Sequence, residues 1–225
     1  MQSEGSSLLR KRYLTIKTSG KATLKINKSV FIAHVARTES EAQSLAFAVE
    51  IRKQHHDASH NCFACIVGPQ DDFQKADDAG EPVGTAGKPI LEVIRKNKLC
   101  DTSIVVTRYF GGIKLGSGGL IRAYGRSASE GVRAAGIAER ILHSRIGIDL
   151  TYNLLGPLEN ALLSHGFPIS DKHFTEQVRL YVLVESGQEL QLQKLASDIT
   201  AGAASFSDQG CAYVEKDFNC KEGLC

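Results

Sequence analysis

The chain has 225 residues, 42% of them hydrophobic and 23% charged, with a formal net charge of +2. This describes an ordinary globular protein with room for one large or two small domains. No stretch approaches the roughly 20 apolar residues of a membrane span, and Met1 to Arg12, with Glu4, Arg10, Lys11 and Arg12, has no apolar core of a targeting segment, so no membrane partner and a cytoplasmic location are expected.

Thr23 to Ala36 is rich in β-formers, and Ser40 to Lys53 reads as a helix with Ala42, Leu45, Ala46 and Val49 on one face. A strand, His60 to Val67, follows. Gly68 to Gly87, dense in Gly, Pro and Asp, reads as a loop. Pro89 then suits the first turn of a helix that turns Ile90, Val93 and Ile94 inward. Ser103 to Phe110 is a buried strand. A glycine-rich loop leads from it into a helix from about Ser117 to Ala135. At 100° per residue this helix gathers Leu120, Ile121, Tyr124, Ala128, Val132 and Ala135 on one side, with Arg122, Arg126 and Arg133 opposite.

Composition changes near Ile141 to Arg145. Beyond it the pattern predicts a strand (Ile146 to Tyr152), a helix (Leu154 to Ser164), strands Phe167 to Phe174 and Val178 to Glu185, a helix from Ser186 with Leu192, Leu195 and Ile199 inward, and a strand from Ala203 to Val214. This βαββαβ order is that of the ferredoxin-like fold. Charge supports a division: residues 1–142 hold 21 Lys and Arg against 14 Asp and Glu, and residues 143–225 hold 6 against 11. The first part is thus +7 and the second −5, which makes the first the candidate for a polyanionic partner.

The glycine loop carries the strongest functional signal. Gly111, Gly112, Gly116, Gly118 and Gly119 allow close backbone approach, and a helix start beside them directs unpaired N–H groups at an anion of phosphate type. Arg108, Lys114, Arg122 and Arg126 supply positive charge. Tyr109, Phe110 and Tyr124 either stack on a base or pack in the core, and alternation puts Tyr109 on one strand face with Arg108 and Phe110 on the other. Neither common nucleotide-loop signature is present, so no cofactor is expected.

Other constellations carry less. Asp77, Asp78 and Glu81 lack a calcium-loop pattern, and His55, His56 and His60 around Asp57 have no accompanying nucleophile. Cys62 and Cys65 fall three apart on a strand, hence on opposite faces, where they cannot easily share a metal; Cys211, Cys220 and Cys225 are scattered. Reduced structural thiols and no metal site are expected.

Two strings, Gly80-Glu81-Pro82-Val83-Gly84-Thr85-Ala86-Gly87-Lys88-Pro89-Ile90-Leu91 and Arg108 to Gly116 continuing through Gly118 to Tyr124, resemble the signature of the YigZ/IMPACT family, as does His60-Asn61-Cys62. The resemblance implies an α+β, two-domain protein. Residues 1–142 would form an IMPACT-type ribosomal-protein-like βα domain similar to domain IV of elongation factor G. Residues 143–215 would form the ferredoxin-like domain, similar to domain V of that factor, and 216–225 a flexible tail. It also implies regulation of translation: eukaryotic members act in the starvation stress response by binding the activator of a kinase that phosphorylates an initiation factor. Glu81, Thr85, Lys88, Arg108, Lys114 and Arg122 are carried over as the binding surface. Where the family has a second Asp before Gly-Glu-Pro this chain has Ala79, which counts against a two-carboxylate metal or catalytic site.

The sequence thus predicts a non-enzymatic regulator that binds RNA or a ribosome-associated protein through Glu81, Thr85, Lys88, Arg108, Tyr109, Gly111, Gly112, Lys114, Gly118, Gly119, Arg122, Tyr124 and Arg126. The alternative is an enzyme acting on a small anion in the glycine loop, with Glu81 or Asp78 as acid or base.

Overall fold

A computed structural model describes residues 9–68 and 70–218, which form two compact units. The first holds the described residues up to Arg140 together with 216–218, and the second is Ile141–Glu215. The protein is α+β, with two sheets and five helices among the described residues, none of them long and apolar enough to cross a membrane.

In the first unit β2 (Gly20–Ile26), β3 (Ser29–Arg37), β6 (Thr102–Tyr109), β4 (His60–Val67) and β5 (Phe73–Asp77) form an antiparallel sheet in the order β2-β3-β6-β4-β5. A short strand, β1 (Arg12–Ile16), precedes them. Strand alternation sorts the side chains to two faces. Phe31, Ala33 and Val35 of β3, Ile104 and Val106 of β6, and Cys62, Ala64 and Ile66 of β4 pack with α2 (Gly87–Lys96) and α3 (Gly116–Ala135). On the other face Phe63, Cys65, Val67 and Val105 pack against Ala48 and Ile51 of α1 (Glu41–Gln54). Cys62 and Cys65 therefore lie in separate apolar clusters as free thiols; burial, first among several causes, pushes Cys62 up to about 12.

Several sequence expectations shift. Thr23 to Ala36 is a hairpin of two strands, turned at Asn27 and Lys28, both at positive φ. The loop read from Gly68 to Gly87 contains β5, an edge strand of largely exposed residues whose alternation is masked by Gln74 and Lys75. In α1 the buried positions are Ser44, Ala48 and Ile51, while Val49 is exposed. The face is rotated because Ser44 is satisfied inside, its Oγ 2.6 Å from Ser103 Oγ, which in turn bonds Thr38 Oγ1 at 2.7 Å.

The second unit takes β7 (Ile137–Leu150, entering from the first unit), α4 (Tyr152–Ser164), β8 (Ile169–Phe174), β9 (Val178–Glu185), α5 (Glu189–Thr200) and β10 (Ser205–Asp217) in βαββαβ order. β7 pairs with β9 and with β10, and β9 with β8. Ile146, Ile148, Val178, Leu180, Val182 and Val184 meet Leu158, Leu162, Leu192 and Ala196 of the helices in one core. In α5 it is Ala196 and Thr200 that accompany Leu192 inside, whereas Ile199 is exposed. Two strands run further than the sequence suggests: β7 starts at Ile137, and β10 continues to Asp217; within the first unit Asp217 bonds Lys17 and Phe218 N donates to Ile137 O. Residues 219–225, with Cys220 and Cys225, and the first eight residues with Glu4 lie outside the described residues.

Candidate functional site

The glycine loop joins the end of β6 to α3 and is fixed at its entry. Phe110 N donates to Ser59 Oγ and Gly111 N to Ser29 Oγ, each at 3.1 Å. Gly111 passes so close beneath the Asn27–Lys28 turn that a Cβ would lie 2.0 Å from the Lys28 carbonyl carbon. Here only glycine fits. Gly112 and Gly116 take positive φ, and α3 starts at Gly116 with no side chain capping it. Its first-turn N–H groups, through Ser117, Gly118 and Gly119, have no intrahelical acceptor.

Arg108 differs from the surface role read from the sequence, and of the two alternatives for Tyr124 the core position holds, because both are inside. Arg108 is 5% exposed, its guanidinium lying between the Phe31 and Phe110 rings with Nη1 2.6 Å from Glu81 Oε1. Its Nε–H meets no acceptor among the described residues. Tyr124 is fully buried, stands edge-on to Phe31 and donates to the same Glu81 oxygen at 2.7 Å. Burial, ahead of the neighbouring Cys62 and Glu81, raises its phenol far above the usual range. Glu81 is thereby held by two donors, with His60 Nε2 3.9 Å away.

The acidic loop before α2 is a structural cradle. Burial alone would raise the Asp78 carboxyl, but the backbone N–H groups of Gly84, Gly87 and Ala86 outweigh it and hold the group below the ordinary carboxylate range. Asp77 pairs with Arg52 and accepts from Ala79 N. Thr85 is buried and donates to Pro82 O. Lys88 is exposed.

Beside the glycine loop a set of cations remains open. Lys114, Arg122 and Arg126 are exposed and have no ion pair among the described residues. Two recesses border them. One, of about 500 Å³, is lined by Ser59, His60, Glu81, Arg108, Phe110, Lys114 and Ser117 among others. The other, of about 590 Å³, lies between the Asn27 turn and α3 beside Arg122 and Arg126. Phe110, 48% exposed, presents an aromatic surface at the loop.

Tyr109 faces the opposite side of the sheet, as alternation requires, and belongs to a network the sequence did not suggest. Its hydroxyl donates to Asp57 Oδ1 at 3.0 Å and is 2.9 Å from His55 Nδ1, while His55 Nε2 is 3.1 Å from His34 Nε2. A carboxylate only accepts, so the Tyr109 oxygen accepts from His55 Nδ1–H, and His55 Nε2 accepts from His34. Burial, then Lys21, then His55 lower His34 to about 4; burial and Lys21 also lower His55. These partners are 21 to 54 residues apart in the chain, and only the register of β3 with β6 and the end of α1 brings them together.

Residues 27–132 match the Impact N-terminal domain, and residues 148–203 match a domain of unknown function, DUF1949. The IMPACT family member YvyE of Bacillus subtilis is 43% identical over 207 residues, which is 92% of this chain and 95% of the relative. The IMPACT family member YigZ of Escherichia coli is 32% identical over 180 residues, covering 79% of this chain and 88% of its own. A crystal structure described as that of a hypothetical protein shares the fold with a TM-score of 0.58 at 29% identity, covering 88% of this chain and 97% of that one. With both of its units matched and a relative this similar over nearly its whole length, the chain belongs to the IMPACT family.

Proposed function

We propose that this protein is a non-enzymatic, cytoplasmic, translation-associated regulator that binds RNA through the surface around the start of α3. One observation carries the reading: after Arg108 is consumed by Glu81, Lys114, Arg122 and Arg126 remain exposed and unpaired among the described residues, around a helix start with no side-chain cap. Phosphates meet these cations and N–H groups, and Phe110 offers a stacking surface, so affinity comes with little sequence preference. The finer fold readings fit this role. The helix-backed antiparallel sheet of the first unit is read as the ribosomal-protein-like fold of elongation factor G domain IV, and the βαββαβ order of the second as ferredoxin-like.

The test is binding of a short unstructured RNA by the full chain across a salt series. Arg122→Ala with Arg126→Ala is expected to weaken binding and to flatten the log–log salt slope by about 0.7 per lost phosphate contact, with the fold unchanged. Binding that is absent, or indifferent to salt and to the double variant, overturns the reading. A partner captured from cells that survives nuclease treatment would replace RNA by a ribosome-associated protein.

The enzymatic alternative has one observation behind it: Glu81, His60 and Arg108 line a single recess. It requires Glu81 to exchange a proton with a bound substrate, although its Oε1 already takes bonds from Arg108 and Tyr124. Turnover of a small phosphorylated or carboxylated compound, lost in Glu81→Gln, would establish it.

A further inference from the structure

A cleft of about 600 Å³ lies along α2 and α3, within the size range of small-molecule sites, and adjoins the recess beside Arg122 and Arg126 at Ile121 and Gly125. Pro89 and Val93 of α2 and Ile121 of α3 give it apolar walls, and Lys88, Glu92 and Lys96 stand along it. Three observations mark it as a gap in the packing. At 100° per residue Ile121 shares an arc with Ala128 and Val132, which are buried, yet Ile121 is 45% exposed. Gly125 sits in the middle of α3, where glycine costs a helix about 1 kcal/mol relative to alanine, and a Cβ there would touch nothing within 4 Å. By contrast, a Cβ at Gly131 in the same helix would lie 2.8 Å from Val35 Cγ2, so packing accounts for that glycine but not for Gly125. Asn97, which also lines the cleft, is 7% exposed; its Nδ2 donates to Val93 O, but its Oδ1 receives no hydrogen bond among the described residues.

Charge narrows the occupant. Glu92 is engaged by Arg95 at 2.9 Å, whereas Lys88 and Lys96 are exposed without an ion pair among the described residues. Eight residues of helix, about 12 Å, separate the two lysines. A suitable ligand therefore combines a thin apolar body, an N–H donor for the Asn97 amide and a negative group for a lysine. A fatty acid lacks the donor, and a simple anion lacks the body.

We propose that this cleft binds a nucleotide, its base between Val93 and Ile121 over Gly125, its N–H edge toward Asn97 and its phosphate at Lys88 or Lys96. The same chemistry arrives as a free mononucleotide or as one unit of an RNA strand. Only the second source rests on the RNA-binding reading above.

The experiment is titration of the ¹⁵N-labelled full chain with AMP, CMP, inorganic phosphate and a trinucleotide, with calorimetry in parallel. AMP or CMP is expected to saturate shifts of the Gly125 N–H and the Asn97 side-chain amide, and phosphate alone to bind at least about tenfold more weakly. Gly125→Leu fills the gap at an unstrained helical position; it should keep the fold and weaken binding about tenfold or more, as should Lys88→Glu with Lys96→Glu. A trinucleotide that binds more tightly than AMP assigns the source to RNA, and equal affinity assigns it to the free nucleotide. Arg122→Ala with Arg126→Ala is expected to retain AMP binding, so failure of the RNA surface and failure of the cleft are separable. No saturable shift at millimolar AMP or CMP, binding undiminished in Gly125→Leu, or equal binding of inorganic phosphate would overturn the proposal.

Discussion

Arg108 Nη1 lies 2.6 Å from Glu81 Oε1, and this buried pair ties the strand that leads into the glycine loop to the segment that leads into α2. Removing one partner leaves the other charge without compensation in an apolar setting, flanked by Phe31 and Phe110. Arg108→Leu or Glu81→Leu alone is expected to cost about 3–5 kcal/mol, and the double substitution distinctly less than the sum. Denaturant unfolding of the three variants measures the coupling; strictly additive losses would mean that the pair contributes nothing as a pair.

Asp78 gathers the N–H groups of Gly84, Ala86 and Gly87, the last two at 3.0 and 2.8 Å on one oxygen. Asp78→Ala strands those donors at the entrance to α2, with an expected loss of about 2 kcal/mol. Asp78→Asn keeps an acceptor for Ala86 and Gly87 but turns an amide toward Gly84, so a smaller loss is expected. Thermal unfolding of the two variants checks the order.

His34 gives the fold a pH dependence whose sign is fixed. Its ring falls from an ordinary 6.5 to about 4 on folding, through burial, then Lys21, then His55. The unfolded chain therefore takes up the proton first, so the stabilisation is complete above about pH 6.5 and is lost as pH falls toward 4. Relative to His34→Gln, the native protein should lose about 3 kcal/mol between pH 7 and pH 4. Chemical unfolding at both pH values, on both proteins, is the measurement. A constant difference would exclude His34 as the source.

Three glycines separate space from strain. Gly125→Ala should raise stability by up to about 1 kcal/mol, since the Cβ enters open space. Gly131→Ala, despite the same gain in helix propensity, should lower it, because Val35 and Ala33 stand 2.8 and 2.9 Å from the new atom. Gly111→Ala should be the most damaging of the three. Melting temperatures of the set decide.

How much of this was legible beforehand depended on whether local pattern or distant contact decides a residue's place. Strand β4 and the inward Ile90, Val93 and Ile94 follow from periodicity, and they stand where it puts them. Ser44 misled the reading of α1 because its polar group is matched by Ser103, 59 residues away, which no local pattern encodes. Edge strand β5 hid in a polar stretch for want of a buried face. At the site, the open arginines of α3 were readable from helical spacing, whereas the inward turn of Arg108 was not. An arginine at a strand end beside glycines signals exposure until a carboxylate 27 residues earlier is known to lie against it. The chain from His34 to Asp57 was equally hidden, having no spacing rule of its own.

The passage of Gly111 beneath Lys28 divides the glycine segment mechanically. Up to it the backbone is clamped by two serine hydroxyls and a hairpin; downstream, Gly112 and Gly116 turn the chain at positive φ into α3. A partner that rearranges the segment is therefore expected to displace the backbone beyond Gly111 and to leave the joint at Gly111 in place.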